Sequence, residues 1–438
     1  MTTERHLERD LPQILGDLAM GPYPDYIDDV LAKTAQRRQR AAWTFPERWL
    51  PMDFVNERVS TPRVPWRALG ALALIALLIA AAVAAYVGSQ PRLPAPFGVA
   101  RNGLVAYAAD GDIFTADPVT GAAKAIVSGP DTDLTPRFSL DGTHIVFERR
   151  ATGRPFGELY VTKSDGSELV RVAPAATASI EGYAFAPNGR EVLVSAGFRL
   201  FIANIDGSGT RPLDVGELLA SEPDYSAPDG GEVVFIGKAA GSGATGLYVV
   251  RADGTGLRTI VEPSNLIPIS PRWSPDGSQI AYSAYGADYE TGGSLLRAYV
   301  VGADGRSNRL LRVIPENDLE GAVSWSNDGT RLLIGGCYYE PAANATDCME
   351  TFSVIPVDGS GPVVEIDRQT GLSGAILRTA SAGTSHVWAP DDRMILTVPL
   401  SGPGLPSSTP FSWDPLTGRS QPWVGSIAGS ASWQRKAP

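Results

Sequence analysis

Residues 272–282 read RWSPDGSQIAY, and the same phrase returns in more degraded form along the chain. It appears as RFSLDGTHIVF from Arg137, AFAPNGREVLV from Ala184, DYSAPDGGEVVFI from Asp224, SWSNDGTRLLI from Ser324 and VWAPDDRMILT from Val387. A truncated SWQR from Ser432 ends the series. The aromatic anchors are Phe138, Phe185, Tyr225, Trp273, Trp325, Trp388 and Trp433, at intervals of 47, 40, 48, 52, 63 and 45 residues. An aromatic, a Pro-Asp-Gly-type turn and an alternating apolar run, recurring at about 40–50 residues, make one small sheet per repeat. The expected fold is all-β, a seven-bladed β-propeller.

A second turn in each repeat gives the same number. It starts at Asp117, Asp165, Asp206, Asp253, Asp304, Asp358 and Asp414, as DPVTG, SDGS, IDGS, ADGT, ADGR, VDGS and DPLTG. Asp-Gly supplies the positive backbone angles of tight turns, and the Asp side chain can cap the turn that it opens. Runs such as IVFERR, LYVVRA and AYVVGA between the turns carry the β-branched and aromatic residues that suit a pleated, half-buried surface.

The two ends of the repeat region complete each other. The first repeat begins at Asn102-Gly103 and has its turn but no preceding aromatic strand, while the last supplies only that strand around Trp433. A ring must join its last sheet to its first or leave open strand edges. The C-terminal strand is therefore expected to complete the N-terminal blade.

Residues 273–282 match the W-S-P-D-G-x-x-I-A-Y run of the WD40-like repeat, so the chain resembles the TolB-like propeller family over residues 99–438. The resemblance implies the propeller fold. It implies little about activity, because such rings serve as binding platforms, as accessory domains of serine peptidases and occasionally as enzymes.

The chain has 438 residues, 43% of them hydrophobic, so its 47 Gly and 35 Pro read as punctuation between short strands rather than as disorder. Net charge is −11. Residues 1–67 carry ten basic and ten acidic side chains, so the whole imbalance lies in the repeat region. An acidic ring excludes nucleic acid as the natural partner, although turn aspartates account for much of the charge.

Residues 68–87, ALGALALIALLIAAAVAAYV, contain no charge and are long enough for one membrane-spanning helix. More than sixty residues precede them, which disfavours a cleaved signal peptide. Arg48, Arg58, Arg63 and Arg67 flank the run on one side, against Arg92 and Arg101 on the other. The expected organisation is a cytoplasmic helical segment (1–66), a transmembrane helix (67–88), a linker (89–98) and the extracytoplasmic propeller (99–438).

The only cysteines, Cys337 and Cys348, fall in one blade, at the end of one apolar strand and the start of the next. An oxidising exterior would favour a disulfide between facing positions there, worth about 2–3 kcal/mol. Two reduced thiols are the alternative. Half a ligand set with no nearby histidine makes a metal site less favoured.

In residues 1–66, Leu7, Leu11, Ile14, Leu15 and Leu18 stand at helical spacing, and a second helix is expected from Pro24. Trp43, Phe45, Trp49 and Leu50 follow in a Pro-broken segment that suits either a docking surface for a cytoplasmic partner or a membrane-hugging stretch. The layout is similar to that of transmembrane anti-sigma regulators, although their zinc-binding His-x3-Cys-x2-Cys pattern is missing.

No G-x-S-x-G elbow and no G-x4-G-K-[ST] run occurs. Of three histidines, His6 lies in the tail, His144 in a repeat strand and His386 beside an anchor, where it would line a channel or serve structurally. Asp110, Asp112, Asp131 and Asp133 read as solvated turns rather than calcium ligands. The sequence therefore implies no catalytic residue, cofactor or metal. It implies a membrane-anchored binding or scaffold module for a protein, peptide or glycan. The alternatives are a signalling regulator with the propeller as sensor, and a propeller hydrolase or lyase. The longest intervals between anchors place the recognition loops around Tyr285, Tyr289, Tyr338 and Tyr339.

Overall fold

In the computed structural model of the chain, the described residues are 32–33, 72–77 and 97–437, without 173–177, 242, 288–293, 313–318, 340–347, 367–383, 400–409 and 428. The chain divides into two units, Met1–Gln90 and Pro91–Pro438. In the first, residues 32–33 and 72–77 are helical, and 72–77 expose their leucines, Leu72 at 63%. Among the described residues no helix is long and apolar enough to cross a membrane. Most of the expected span at 68–87, and almost all of the two expected cytoplasmic helices, lie outside the described residues.

The second unit forms seven four-stranded antiparallel sheets. Blade 1 pairs Ala431–Lys436, Arg101–Ala109, Asp112–Ala116 and Ala123–Val127, so the C-terminal strand completes the N-terminal sheet as expected. Blades 2 to 7 each run consecutively outward from an inner strand. These inner strands are Thr132–Phe138, Ile180–Phe185, Leu218–Tyr225, Ile267–Trp273, Leu319–Trp325 and Thr384–Trp388. Each ends on its anchor aromatic. Several outermost strands have only two residues, such as Val170–Arg171 and Arg309–Leu310, which leaves little free edge for another chain to pair with.

The anchors explain why the sheets stack. Each packs into the seam between its own blade and the preceding one: Trp273 meets Val234, Leu247 and Val249 of blade 4, and Trp433 meets Leu396 and Val398 of blade 7. Six of the seven are buried, and Trp325 is half-buried. Within blades, aromatic pairs stack across the second and third strands at centroid distances of 5.3–6.1 Å. They are Tyr107–Phe114, Phe147–Tyr160, Phe235–Tyr248 and Tyr282–Tyr299, each a direct register pair.

Both turn series form. In all seven second turns the aspartate Oδ1 accepts a backbone N–H two residues on, at 2.7–2.9 Å. The glycine of the anchor-side turn takes a left-handed φ, +72° at Gly277 for example. Blade 7 has Asp392 in its place, at φ +58°, buried to 6% exposure. Its carboxylate bridges to blade 6, accepting from the backbone N–H groups of Asn327 and Asp328 at 2.7 and 2.8 Å.

Two sequence expectations change in blade 6. The strand Arg331–Tyr339 runs on past Cys337, so Tyr338 and Tyr339 belong to a strand rather than a loop. Register sets Cys337 opposite Glu350 and Cys348 opposite Tyr339. The two cysteines are thus offset along the ladder and not at facing positions, the geometry on which the expected disulfide depended. Their side chains lie outside the described residues.

Candidate functional site

The inner strands border a central channel, and two residues per strand decide its chemistry. The residue just before the anchor is Arg137, Ala184, Asp224, Arg272, Ser324, Val387 or Ser432 around the ring. Three residues before the anchor stand Thr135, Gly182, Glu222, Ser270, Ala322, Ser385 and Ser430. Between these rows the pairing slips by a bulge in blades 2, 4, 5 and 6. At the bulge Thr135, Glu222 and Ser270 take φ of +49°, +49° and +50°, a strained angle for residues with a side chain. Each is followed by proline, so the Thr-Pro, Glu-Pro and Ser-Pro steps mark the same bend in three blades.

An inner strand has no neighbour on its channel side, and its outward N–H groups need acceptors. Side chains of the preceding blade supply them. Ser432 Oγ accepts from Phe138 N–H at 2.9 Å, Asp224 Oδ2 from Trp273 N–H at 2.9 Å, and Glu222 Oε2 from Ser270 N–H at 2.7 Å. Ser385 Oγ accepts from Ala431 N–H at 3.3 Å. In the same direction the indoles of Trp325 and Trp388 donate to the carbonyls of Arg272 and Ser324 in the preceding blade. The channel wall is thereby stitched blade to blade.

The channel widens into two cavities. One, of about 270 Å³, lies at the end bearing the Pro-Asp-Gly turns, and the entering segment at Phe97 and Gly98 borders it. Arg435 holds that segment, donating to the Gly98 carbonyl and to Asn327 Oδ1, each at 2.6 Å. The other cavity, of about 560 Å³, is bordered by Arg137, Arg272 and His386 together with Ser270, Ser385 and Ser432. Its size is that of a small-molecule site.

The charges in the channel are unequally partnered. Burial pushes the Asp224 carboxyl up, and Arg272 opposes that shift. Burial and then the neighbouring Arg272 lower the Arg137 guanidinium from its ordinary value. Arg137 nevertheless exposes surface to the channel, because protein encloses it while the cavity leaves its face open. His386 borders the same cavity, as the channel alternative required. Its Nδ1 lies 3.0 Å from Thr397 Oγ1 and its ring packs at 4.1 Å from Phe352, and burial pushes it down to about 3.

Of the sequence-derived recognition residues, Tyr285 does not border this cavity. Tyr285 is 45% exposed, on the strand Gln279–Ala287 rather than in a loop. Tyr289 lies outside the described residues, as do the side chains of Tyr338 and Tyr339. The second strands of blades 5 and 6 have nine residues, against six or seven in blades 2 and 3. These long hairpins rise at the ring end opposite the Pro-Asp-Gly turns. Asp133 is not a solvated turn: it is 1% exposed and holds Arg149 through two bonds of 2.7 Å. Among the described residues no group of three or more His, Cys, Asp and Glu side chains converges as metal ligands would.

No protein-family model matches the chain, and no curated protein is significantly similar to it. Solved structures do resemble it. An oligogalacturonate lyase from Vibrio parahaemolyticus aligns with a TM-score of 0.52 at 12% identity, covering 74% of this chain and 85% of its own. An oligogalacturonate lyase in complex with manganese aligns over the same shares at 0.51 and 12% identity. A structure assigned as TolB from Agrobacterium tumefaciens aligns at 0.42 and 17% identity, covering 61% of this chain and 89% of its own. At such identities the likeness concerns the fold. It agrees with the seven-bladed β-propeller that the sheets form, in which the phrase of residues 273–282 resembles the WD40-like repeat.

Proposed function

We propose that this protein is a membrane-tethered, extracytoplasmic binding module that captures a protein, peptide or glycan without transforming it. One observation carries the reading. The channel has a polar mouth with Arg, Ser and His side chains drawn from several inner strands, at the end from which the long hairpins of blades 5 and 6 rise. Convergence of several blades on one concave surface is how a rigid ring recognises a ligand. The chain's own entering segment stands at the opposite end, at Phe97 and Gly98.

The tether rests on the twenty uncharged residues of 68–87. The exposed leucines of the helical stretch 72–77 suit a helix that presents its side chains to lipid. The arginines before that run favour a cytoplasmic N-terminus.

Cross-linking of the full-length protein in its native membrane, with partners identified by mass spectrometry, tests the reading. Cross-links from residues 97–437 to an envelope protein or glycan support it. Cross-links confined to residues 1–66, reaching a transcription or signalling protein, would replace it with a transmembrane regulator.

A further inference from the structure

Four charged side chains of blades 2, 4 and 5 lie near one another on the inner strands: Arg137 and Arg272 border the larger cavity, Asp224 borders the smaller, and Glu222 acts on Arg137. The two carboxylates already have work in the wall. Glu222 Oε2 accepts from Ser270 N–H at 2.7 Å and Asp224 Oδ2 from Trp273 N–H at 2.9 Å. The guanidiniums are differently placed. Arg137 Nη1 donates to the Tyr183 carbonyl at 3.0 Å, and Arg272 Nη1 donates to the carbonyl of its own neighbour, Pro271, at 2.8 Å. A guanidinium has five N–H donors, so most of those on both arginines remain to be used. Neither forms an ion pair with a carboxylate among the described residues.

Both arginines border the same cavity of about 560 Å³, with the hydroxyls of Ser324, Ser385 and Ser432 on the facing blades. Asp224 and Glu222 offset part of the repulsion between the two guanidiniums, and the donors left open on both arginines can take a further anion. The planar guanidinium fork matches a carboxylate or a phosphate in a bidentate pair, and the neighbouring carboxylates disfavour the more highly charged phosphate.

We propose that this chamber is a carboxylate-binding site, in which Arg137 and Arg272 clasp the carboxylate of a small organic ligand or of a peptide terminus and the serine hydroxyls complete its shell. The proposal rests on the binding-module reading and names the chemistry of its deepest subsite. The depressed Arg137 fits it, since an anion relieves both the burial and the repulsion from Arg272. Glu222 and Asp224 stand beside the arginines and would select against a second negative charge, or would accept an ammonium group.

The test is calorimetric titration of the purified full-length protein with acetate, glycine and malonate, with inorganic phosphate as the reference anion. Arg272→Gln is the variant of choice, because among the described residues that side chain donates only to its neighbour's carbonyl, and the attraction it lends Asp224 is a small part of the seam. Acetate or glycine should bind, with an affinity that falls as salt rises. R272Q should weaken binding about tenfold or more while the ring keeps its cooperative melting transition, and R272K should be intermediate because it keeps charge but not the fork. Glycine binding more tightly than acetate would assign the neighbouring carboxylates to an ammonium group. Acetate binding as tightly would assign the site to a simple carboxylate. No binding of either at millimolar concentration, phosphate binding in preference to both, or equal affinity in R272Q overturns the proposal. If no carboxylate binds the wild-type protein while its macromolecular cross-links persist, the chamber assignment fails and the binding-module reading stands.

Discussion

Asp224 and Trp273 are joined by a hydrogen bond of 2.9 Å from the tryptophan N–H to the aspartate carboxylate, across the seam between blades 4 and 5. Ser432 and Phe138 repeat the relationship between blades 1 and 2, with a neutral hydroxyl as acceptor. The same position, just before the anchor, therefore satisfies the next blade's free edge in both places. A bond to a charged acceptor contributes about 1.5–3 kcal/mol and a neutral one about 1 kcal/mol. Asp224→Ala should lower the unfolding free energy by about 2 kcal/mol and Ser432→Ala by about half of that. Asp224→Asn keeps a neutral acceptor oxygen and should lose only about 1 kcal/mol. Urea denaturation of the three variants checks the order, and D224N falling with D224A would reject the acceptor role.

Ring closure gives a larger effect. Trp433 is buried, meets Trp423 edge to face at 5.6 Å, and donates its indole N–H to the Gly103 carbonyl at 3.1 Å. Gln434 reaches the Gly142 carbonyl at 2.8 Å, so the terminal strand ties blade 1 to blade 2 as well. Trp433→Ala should cost about 3–5 kcal/mol. Removal of residues 430–438 should abolish the cooperative transition altogether, since blades 1, 2 and 7 each lose a partner. Thermal unfolding followed by near-UV circular dichroism reads both, and a truncated ring that melts as one sharp transition contradicts the closure argument.

Two glycines separate backbone strain from crowding. Gly277 and Gly359 share a φ of +72°, but a Cβ at Gly277 would lie 2.1 Å from the Ala227 carbonyl oxygen of the neighbouring blade, whereas nothing approaches one at Gly359 within 4 Å. Gly359→Ala should cost about 1 kcal/mol for the left-handed angle alone. Gly277→Ala should cost about 2 kcal/mol more, because the turn of blade 5 must withdraw from blade 4. Equal losses in chemical denaturation would show that the turns do not set the blade spacing.

These relationships mark where the sequence was readable. Turn chemistry was, because a positive φ narrows the choice of residue so far that Asp-Gly and Pro-Asp-Gly recur visibly, in seven second turns and six anchor-side turns. The closing strand followed from SWQR lacking a blade of its own. The channel was not legible. Its wall is set by the position before the anchor, which runs Arg, Ala, Asp, Arg, Ser, Val, Ser around the ring and follows no motif. The one available signal was its very variability between two constant positions. Attention went instead to aromatics near the longest intervals, and strand length could not be read there. Arg331–Tyr339 pairs two residues beyond Cys337, which moved Tyr338 and Tyr339 from loop to strand and displaced Cys337 from Cys348. Asp392 was likewise invisible as a bridge, since an aspartate in place of the turn glycine reads as decay of the motif rather than as a link to Asn327.

Acid sensitivity should show two separate windows. Burial lowers the imidazole of His386 to about 3, and burial also lowers His144 against the attraction of Asp141. The unfolded chain takes up these protons near pH 6.5, where the folded ring still refuses them. Their contribution to stability is therefore complete above about pH 6.5 and declines as the pH falls toward 3. The channel face of His386 admits water, so the decline should be shallower than for a sealed imidazole. The turn aspartates act lower. Backbone and hydroxyl hydrogen bonds hold Asp117, Asp165, Asp206, Asp253 and Asp358 below the usual carboxylate range. Their stabilisation is present above about pH 4 and is lost as the pH falls through their depressed values. Urea midpoints at pH 7.5, 6.5, 5.5, 4.5 and 3.5 should decline in both windows for the wild type. His386→Gln should flatten the upper window and leave the lower one in place. If its midpoint still falls as steeply between pH 6.5 and 4.5, the buried imidazole is not the group that couples the ring to acid.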